Sequence, residues 1–291
     1  YNAYLEQDGN VEDVYGHGTA TTGLIGAVGN NNVGVTGMAW DINIIPVRID
    51  MGTSSSAYIS DMAVGITWCA DQGGKVANLS YGGAQYSTID TAAQYLRDSG
   101  GLLFMSAGND GTNNSINDYP DYISFVVVGA TTSSDVKSSF SEYGPFVDVV
   151  APGSSIYTTK IGGYGYWSGT SFSSPITAGL AALIYSVNPN FTPAEVESYI
   201  FSTAVDLGAA GDDDMYGYGR IDAGASVTAA MDSFGTPNIP PVAAATVDKT
   251  SGSAPLTVAF NGSGSIDEDG TISTYLWNFG DGNTASEVTA T

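Results

Sequence analysis

Short apolar runs alternate with segments of helical periodicity between Asp41 and Pro189. INIIPVRI (residues 42–49) is continuous and rich in β-branched side chains. Ile59, Met62, Ala63, Ile66 and Ala70 then recur at helical spacing, and Ile89, Ala92, Ala93 and Leu96 repeat the pattern after KVANLS (75–80). LLFMSAG (102–108) and ISFVVVGA (123–130) are uncharged and flanked by turns. Near-continuous apolar strands separated by amphipathic helices predict a parallel sheet buried on both faces, a doubly wound α/β domain. In such sheets functional residues gather beyond the carboxyl ends of the strands. A long apolar helix is predicted over 171–187, closed by Asn188-Pro189. Thr192-Pro193-Ala194-Glu195 carries a helix start, with cap, first-turn proline and a glutamate three residues on.

The pattern changes after YGYGRIDAGASVTAAM. We read 1–234 as the α/β domain and the proline-bearing stretch 235–241 as a linker. Residues 242–291, with LTVAFNGS and TYLWNFGDGN alternating apolar and polar positions around Gly/Asp turns, predict a partial all-β immunoglobulin-like sandwich.

Composition narrows the function classes. Apolar residues make up 43% of the chain and charged ones 13%, a globular balance. Seven Lys+Arg against 30 Asp+Glu give a formal charge of −23, which excludes the basic face that nucleic acid requires. Such acidity serves solubility first, and attraction of cationic peptides second. The single cysteine, Cys69, allows no intramolecular disulfide and falls in an apolar helical pattern as a core residue. No run of 18 apolar residues exists, so no membrane span is expected. Tyr1 is not an initiator Met, so the absence of a signal peptide carries no weight.

Three residues could carry acyl-transfer chemistry. His17, the only histidine, lies between glycines in YGHGTATTGLIGAV at a helix start, where an imidazole can serve as a base near neutral pH. Ser171, in SGTSFSSPITAGLAALI, falls at the positive end of a helix with Pro175 in the first turn, its own N–H free for an oxyanion. Asn109 ends LLFMSAGND and would present an amide at a strand's carboxyl end. Each has an ordinary structural alternative when taken singly: a satisfied histidine, a capping serine, an asparagine in a turn.

Together the motifs GHGT, NLSYGG, SAGN and GTSFSSP, in that order on an α/β pattern, resemble the subtilisin-like (subtilase) family of serine peptidases over about residues 1–233. The resemblance implies His17 as general base, Ser171 as nucleophile, and Asn109 with the Ser171 N–H as oxyanion hole. It also implies that Ser80, Tyr81 and Gly82 and Ser106, Ala107 and Gly108 form two extended edges that pair with substrate backbone. A secreted endopeptidase acting on extracellular polypeptides, as a monomer and without a cofactor for the chemistry, is the implied protein. Phe172 departs from the family's methionine after the nucleophile. The family's triad aspartate stands on a strand before the histidine, whereas only Asp8 and Asp13 precede His17 here, and neither follows an apolar run. The acid-bearing strand is therefore expected upstream of Tyr1, and residues 1–291 alone are expected to be nearly inactive, down by roughly 10⁴ in kcat.

The resemblance implies further sites. The loop after the histidine helix would hold structural calcium through Asn30 and the carbonyls of Val28, Val33 and Val35, or else bind no ion. Asp110 and Asp118 flank the expected primary specificity pocket and would favour Lys or Arg before the scissile bond, unless their placement reflects the abundance of acids. The tail resembles a PKD domain, with Trp277 as a core residue, serving as a binder of insoluble protein or polysaccharide or as a spacer. A non-catalytic subtilase-like scaffold is the competing reading. A lipase-type hydrolase is excluded because the serine is not in G-x-S-x-G and the histidine precedes it.

Overall fold

Apolar runs that lack charge fold into strands only where neighbours take up their backbone groups, and three of the predicted runs meet that condition. In the computed structural model, which describes residues 1–9, 11–51, 56–234, 240–268 and 270–291, β1 (Val76–Leu79), β2 (Leu102–Ser106), β3 (Phe125–Thr131) and β4 (Val149–Pro152) form one parallel sheet in the order β1-β2-β3-β4. Leu103 pairs with Ala77 on one side and Phe125 on the other, so β2 and β3 are central. Every residue of β2 and β3 is buried.

Alternation along β2 explains how both faces are filled. Leu103 and Met105 pack with Met62 and Ile66 of α2 (Ile59–Asp71) and with Ile89 and Leu96 of α3 (Ser87–Asp98). Leu102 and Phe104 pack on the other side with Leu180 and Ile184 of α4 (Thr170–Val187) and Val196 and Ile200 of α5 (Pro193–Ser202). Helices on both faces of a parallel sheet make this a doubly wound domain. The start of α5 has the expected capping box: Glu195 N donates to Thr192 Oγ1 at 3.3 Å and Thr192 N to Glu195 Oε2 at 2.7 Å.

The run 42–49 departs from expectation. It forms no ladder; only Arg48 bridges, in parallel, to Asn2, while Ile44 and Ile45 stay exposed. A β-branched run without a continuous partner strand has no use for its strand propensity.

Two helix starts face the carboxyl end of the sheet. The helix α1 (His17–Gly26) packs on α4 through Ala20, Leu24 and Phe172. Thr158 and Thr159, on the hairpin of β5 (Ile156–Lys160) and β6 (Gly163–Trp167), donate to Ala20 O and Thr19 O at 3.1 and 2.6 Å. The last helix of this unit is α6 (Ala223–Asp232). No described helix is long and apolar enough to cross a membrane.

The chain divides into two compact units, Tyr1–Met231 and Asp232–Thr291. Of the expected linker, residues 235–239 lie outside the described residues. In the second unit β7 (Thr246–Val247), β8 (Phe260–Asn261) and β11 (Thr289–Ala290) form an antiparallel sheet, and β9 (Trp277–Asn278) pairs with β10 (Thr284–Ala285). Trp277 is half-buried rather than enclosed: its ring meets Phe260 at 5.6 Å and its Nε1 donates to Glu287 O at 2.8 Å.

Candidate active site

The nucleophile candidate is set by the start of α4, which is fastened at several points. Gly169 N donates to Gly153 O at 2.9 Å, and Ser173 Oγ to Ala151 O at 3.0 Å. The helix begins at Thr170, one residue before Ser171, so Pro175 stands in its second turn and not, as the sequence suggests, in its first. This placement has a local consequence. Proline has no N–H to give the carbonyl four residues back, which is that of Ser171. Ser80 Oγ supplies the missing bond, donating to Ser171 O at 2.8 Å. Ser80 Oγ also accepts from Asn78 Nδ2 at 2.9 Å, and Ser174 Oγ donates to Asn78 Oδ1 at 2.8 Å. The end of β1 and the start of α4 are thus tied by one hydroxyl–amide network. Ser171 Oγ rests on Ser80 O at 3.3 Å.

Asn109 is fixed by the same helix start. Thr170 N donates to Asn109 Oδ1 at 2.9 Å, and the Thr170 hydroxyl lies 3.1 Å from that oxygen and 3.2 Å from Gly108 N. With Oδ1 engaged, the amide orientation is set and Nδ2 has no partner among the described residues. The N–H of Ser171, second in the helix, has none either. Two unspent donors therefore flank the hydroxyl of Ser171, the arrangement an oxyanion requires.

His17 is the first residue of α1. Its N-cap, Gly16, has φ +86°, a left-handed conformation that glycine takes without a Cβ penalty. Asp13 caps this helix from outside: Oδ1 accepts from Tyr15 N and Gly16 N at 3.0 and 2.7 Å, and Oδ2 from Thr19 N and Oγ1 at 2.7 and 2.8 Å. Burial opposes ionisation of this carboxyl, but the hydrogen bonds from Thr19, Gly16 and Tyr15 outweigh it and hold its pKa below the ordinary carboxylate value. Asp13 is thereby committed to the backbone and does not hydrogen-bond the imidazole. The ring of His17 lies edge-on to Phe172 at 5.8 Å and to Tyr81 at 6.0 Å, beside the neighbours of Ser171 and Ser80. Burial among these rings lowers its pKa, and the negative charge of Asp13 offsets part of the shift.

The two expected substrate edges are also brought together. Ser106 Oγ donates to Tyr81 O at 3.0 Å, joining the segment 80–82 to the segment 106–108, while Gly82 is exposed. Asp110 and Asp118 are both exposed, and Asp118 Oδ2 accepts from Ser115 Oγ at 2.8 Å. The buried carboxylate beside Gly108 is instead Glu142, which no motif in the sequence marked. Val28, Asn30, Val33 and Val35 lie on the loop after α1, away from these edges in sequence; Asn30 has φ +54° and Val33 is 60% exposed. Their oxygens suit a hard cation in kind, but four neutral donors fall short of the six to eight that calcium takes.

Comparison with known proteins agrees with this geometry. The subtilase family matches residues 2–219 and the PKD domain residues 238–291. The alkaline elastase YaB of Bacillus sp. (strain YaB) is 34% identical over 226 residues, 77% of this chain, which spans only 58% of the elastase's length. Subtilisin Savinase of Lederbergia lenta is 36% identical over 222 residues, covering 76% of this chain and 78% of that protein. The crystal structure of a cold adapted subtilisin-like serine proteinase superposes with a TM-score of 0.65 at 35% identity, over 75% of this chain and 79% of the other. The order of the four motifs, the parallel sheet they terminate and the extent of these matches lead to one conclusion: this chain belongs to the subtilase family, its peptidase domain followed by a PKD domain.

Proposed function

We propose that the protein is a secreted serine endopeptidase acting on extracellular polypeptides. Ser171 is the nucleophile, His17 the general base that takes its proton and returns it to the leaving amine, and Asn109 Nδ2 with the Ser171 N–H the oxyanion hole. The observation that carries this reading is the grip of Thr170 on Asn109 Oδ1, which leaves two N–H donors unpaired beside a serine hydroxyl. The hydroxyl must turn from Ser80 O toward His17 as substrate enters, a movement consistent with the loose hydrogen bonding of resting sites. Substrate backbone adds as a strand between the segments 80–82 and 106–108, which favours flexible chains.

The acid that orients His17 comes, in this reading, from a segment upstream of Tyr1, since Asp13 is spent on the start of α1. Calcium on the loop of Val28, Asn30, Val33 and Val35 would be structural only. The PKD domain would bind insoluble protein or polysaccharide.

A fluorophosphonate probe tests the chemistry. The full-length protein is expected to be labelled at Ser171 and to hydrolyse casein, and Ser171→Ala to lose both. A wild-type protein that folds, takes no label and cleaves nothing would overturn the reading in favour of a non-catalytic scaffold.

A further inference from the structure

The bond between Ser106 Oγ and Tyr81 O closes one end of a slot between the two edges. Gly108 has φ +118°, and a Cβ built on it would collide with the carboxylate of Glu142. The carboxylate therefore occupies the space that a side chain at 108 would fill, directly beside the segment 106–108. The backbone holds it there: Glu142 N donates to Gly108 O at 3.1 Å.

Glu142 is only 7% exposed. Asn114 Nδ2 donates to Oε2, and the hydroxyl of Tyr119 lies close enough that burial and the Glu142 charge raise its pKa. A carboxylate offers about four lone-pair sites, so two donors leave acceptor capacity unused. Among the described residues it takes part in no salt bridge. Arg48, Arg97, Arg220 and Lys249 pair with Asp50, Glu197, Asp135 and Asp248. Lys137, five residues away in sequence, donates to the carbonyls of Ser138 and Ser141 and lies over the ring of Tyr143.

We propose that Glu142 is a specificity-determining residue: it selects Lys or Arg as the residue preceding the scissile bond. The inference rests on the endopeptidase reading, which places that side chain in the slot between the two edges. An apolar side chain entering there would seal the carboxylate from water with no counter-charge, whereas an ammonium or guanidinium would meet its unused lone pairs. Asp110 and Asp118, the carboxylates that the sequence points to, are exposed and contribute at most long-range attraction.

The test uses the full-length protein, with active sites titrated by the fluorophosphonate probe, on peptides that differ only in the residue before the scissile bond. Lys and Arg peptides are expected to exceed Leu and Phe peptides by about a hundredfold in kcat/KM. Glu142→Gln is expected to bring the Lys/Leu ratio to within a few-fold of unity, chiefly through KM. Inhibition of the wild type by benzamidine but not by benzamide gives a second readout that needs no variant. Equal or better cleavage after Leu or Phe overturns the proposal, as does an unchanged ratio in a folded, titratable Glu142→Gln. Neither of these outcomes touches the endopeptidase reading, which fails only if no labelling and no cleavage occur at all.

Discussion

The starts of α1 and α4 both present a candidate catalytic side chain beside the same strand ends, yet they are held in opposite ways. At α4, bonds from Gly153, Ala151, Asn109 and Ser80 converge on residues 169–173 from positions far away in sequence. At α1, the first turn is held by Asp13, only four residues before His17, and by the hairpin threonines that bond Thr19 and Ala20. Met38 N and Ala39 N reach only the far end of the helix, at Leu24 O and Ile25 O. The proposed nucleophile and oxyanion donors are thus fixed by segments at the sheet's strand ends, whereas the imidazole is placed but not oriented. Among the described residues the imidazole keeps a hydrogen bond to give and one to accept, the capacity that an orienting acid would use in the proposed reading. Pre-organisation here is unequal: rigid where negative charge develops, adaptable where a proton moves.

The largest way to break this comparison is to supply or withhold the acid. Residues 1–291 alone are expected to turn over peptide about 10⁴-fold more slowly than the full-length protein, measured as kcat per titrated site. Equal rates would mean that His17 needs no partner, and the two helix starts would then be alike. Next in size, Asn109→Ala in the full-length protein is expected to lose about 10²–10³ in kcat with little change in KM. Thr170→Val should lose less, because the N–H of residue 170 still holds Asn109 Oδ1 and only the hydroxyl contact is removed. If Thr170→Val and Asn109→Ala were equal, the orientation imposed by Thr170 would be the whole effect.

A smaller effect sharpens the contrast at α1. The charge of Asp13 raises the His17 pKa against the larger lowering by burial, so Asp13→Asn should lower that pKa further. The acid limb of the kcat/KM profile is then expected to move to lower pH. The same variant should cost stability above the pKa of the carboxyl, since an amide keeps one acceptor oxygen where the carboxylate takes four hydrogen bonds on two. Because hydrogen bonding holds the folded-state pKa below the unfolded one, that contribution is present above the unfolded value and fades as pH falls through the folded value. A limb that moves upward would reverse the assignment of charge. Smallest of all, removal of calcium with a chelator should lower Tm by a few degrees if the loop at 28–35 holds the ion, and Asn30→Ala should abolish that difference.

Much of this arrangement was legible in the residues themselves. The strands β1, β2 and β3 and the helices α2 to α5 follow from periodicity, because buried parallel strands leave uncharged runs and capped helices leave Thr-Pro-x-Glu. His17 and Asn109 directly follow glycines, Gly16 and Gly108, and Ser171 follows Gly169 by two residues, and all three glycines take positive φ, so the motifs stand out by their turn chemistry. Residues 42–49 misled because strand propensity says nothing about whether a partner is present. Pro175 misled because a helix start shifted by one residue turns a tolerated proline into an interior one. Glu142 left no trace at all. Its importance comes from contact with Gly108 and Asn114, at least 28 residues distant, and no local pattern encodes that. Asp110 and Asp118 drew attention by adjacency in sequence, which the turn 109–118 converts into exposure.

Pro175 and Ser80 illustrate how such a hidden contact constrains the way the protein can change. Each position makes sense only given the other: an N–H at 175 would compete for the acceptor on which the Ser80 hydroxyl depends. The two therefore form a single unit of variation. Pro175→Ala alone should leave Ser80 a replaceable hydroxyl, while Ser80→Ala alone should strand a carbonyl at the nucleophile. A double-mutant cycle is expected to return a coupling of about 1 kcal/mol, and a library that randomises both positions should recover proline at 175 together with serine or threonine at 80.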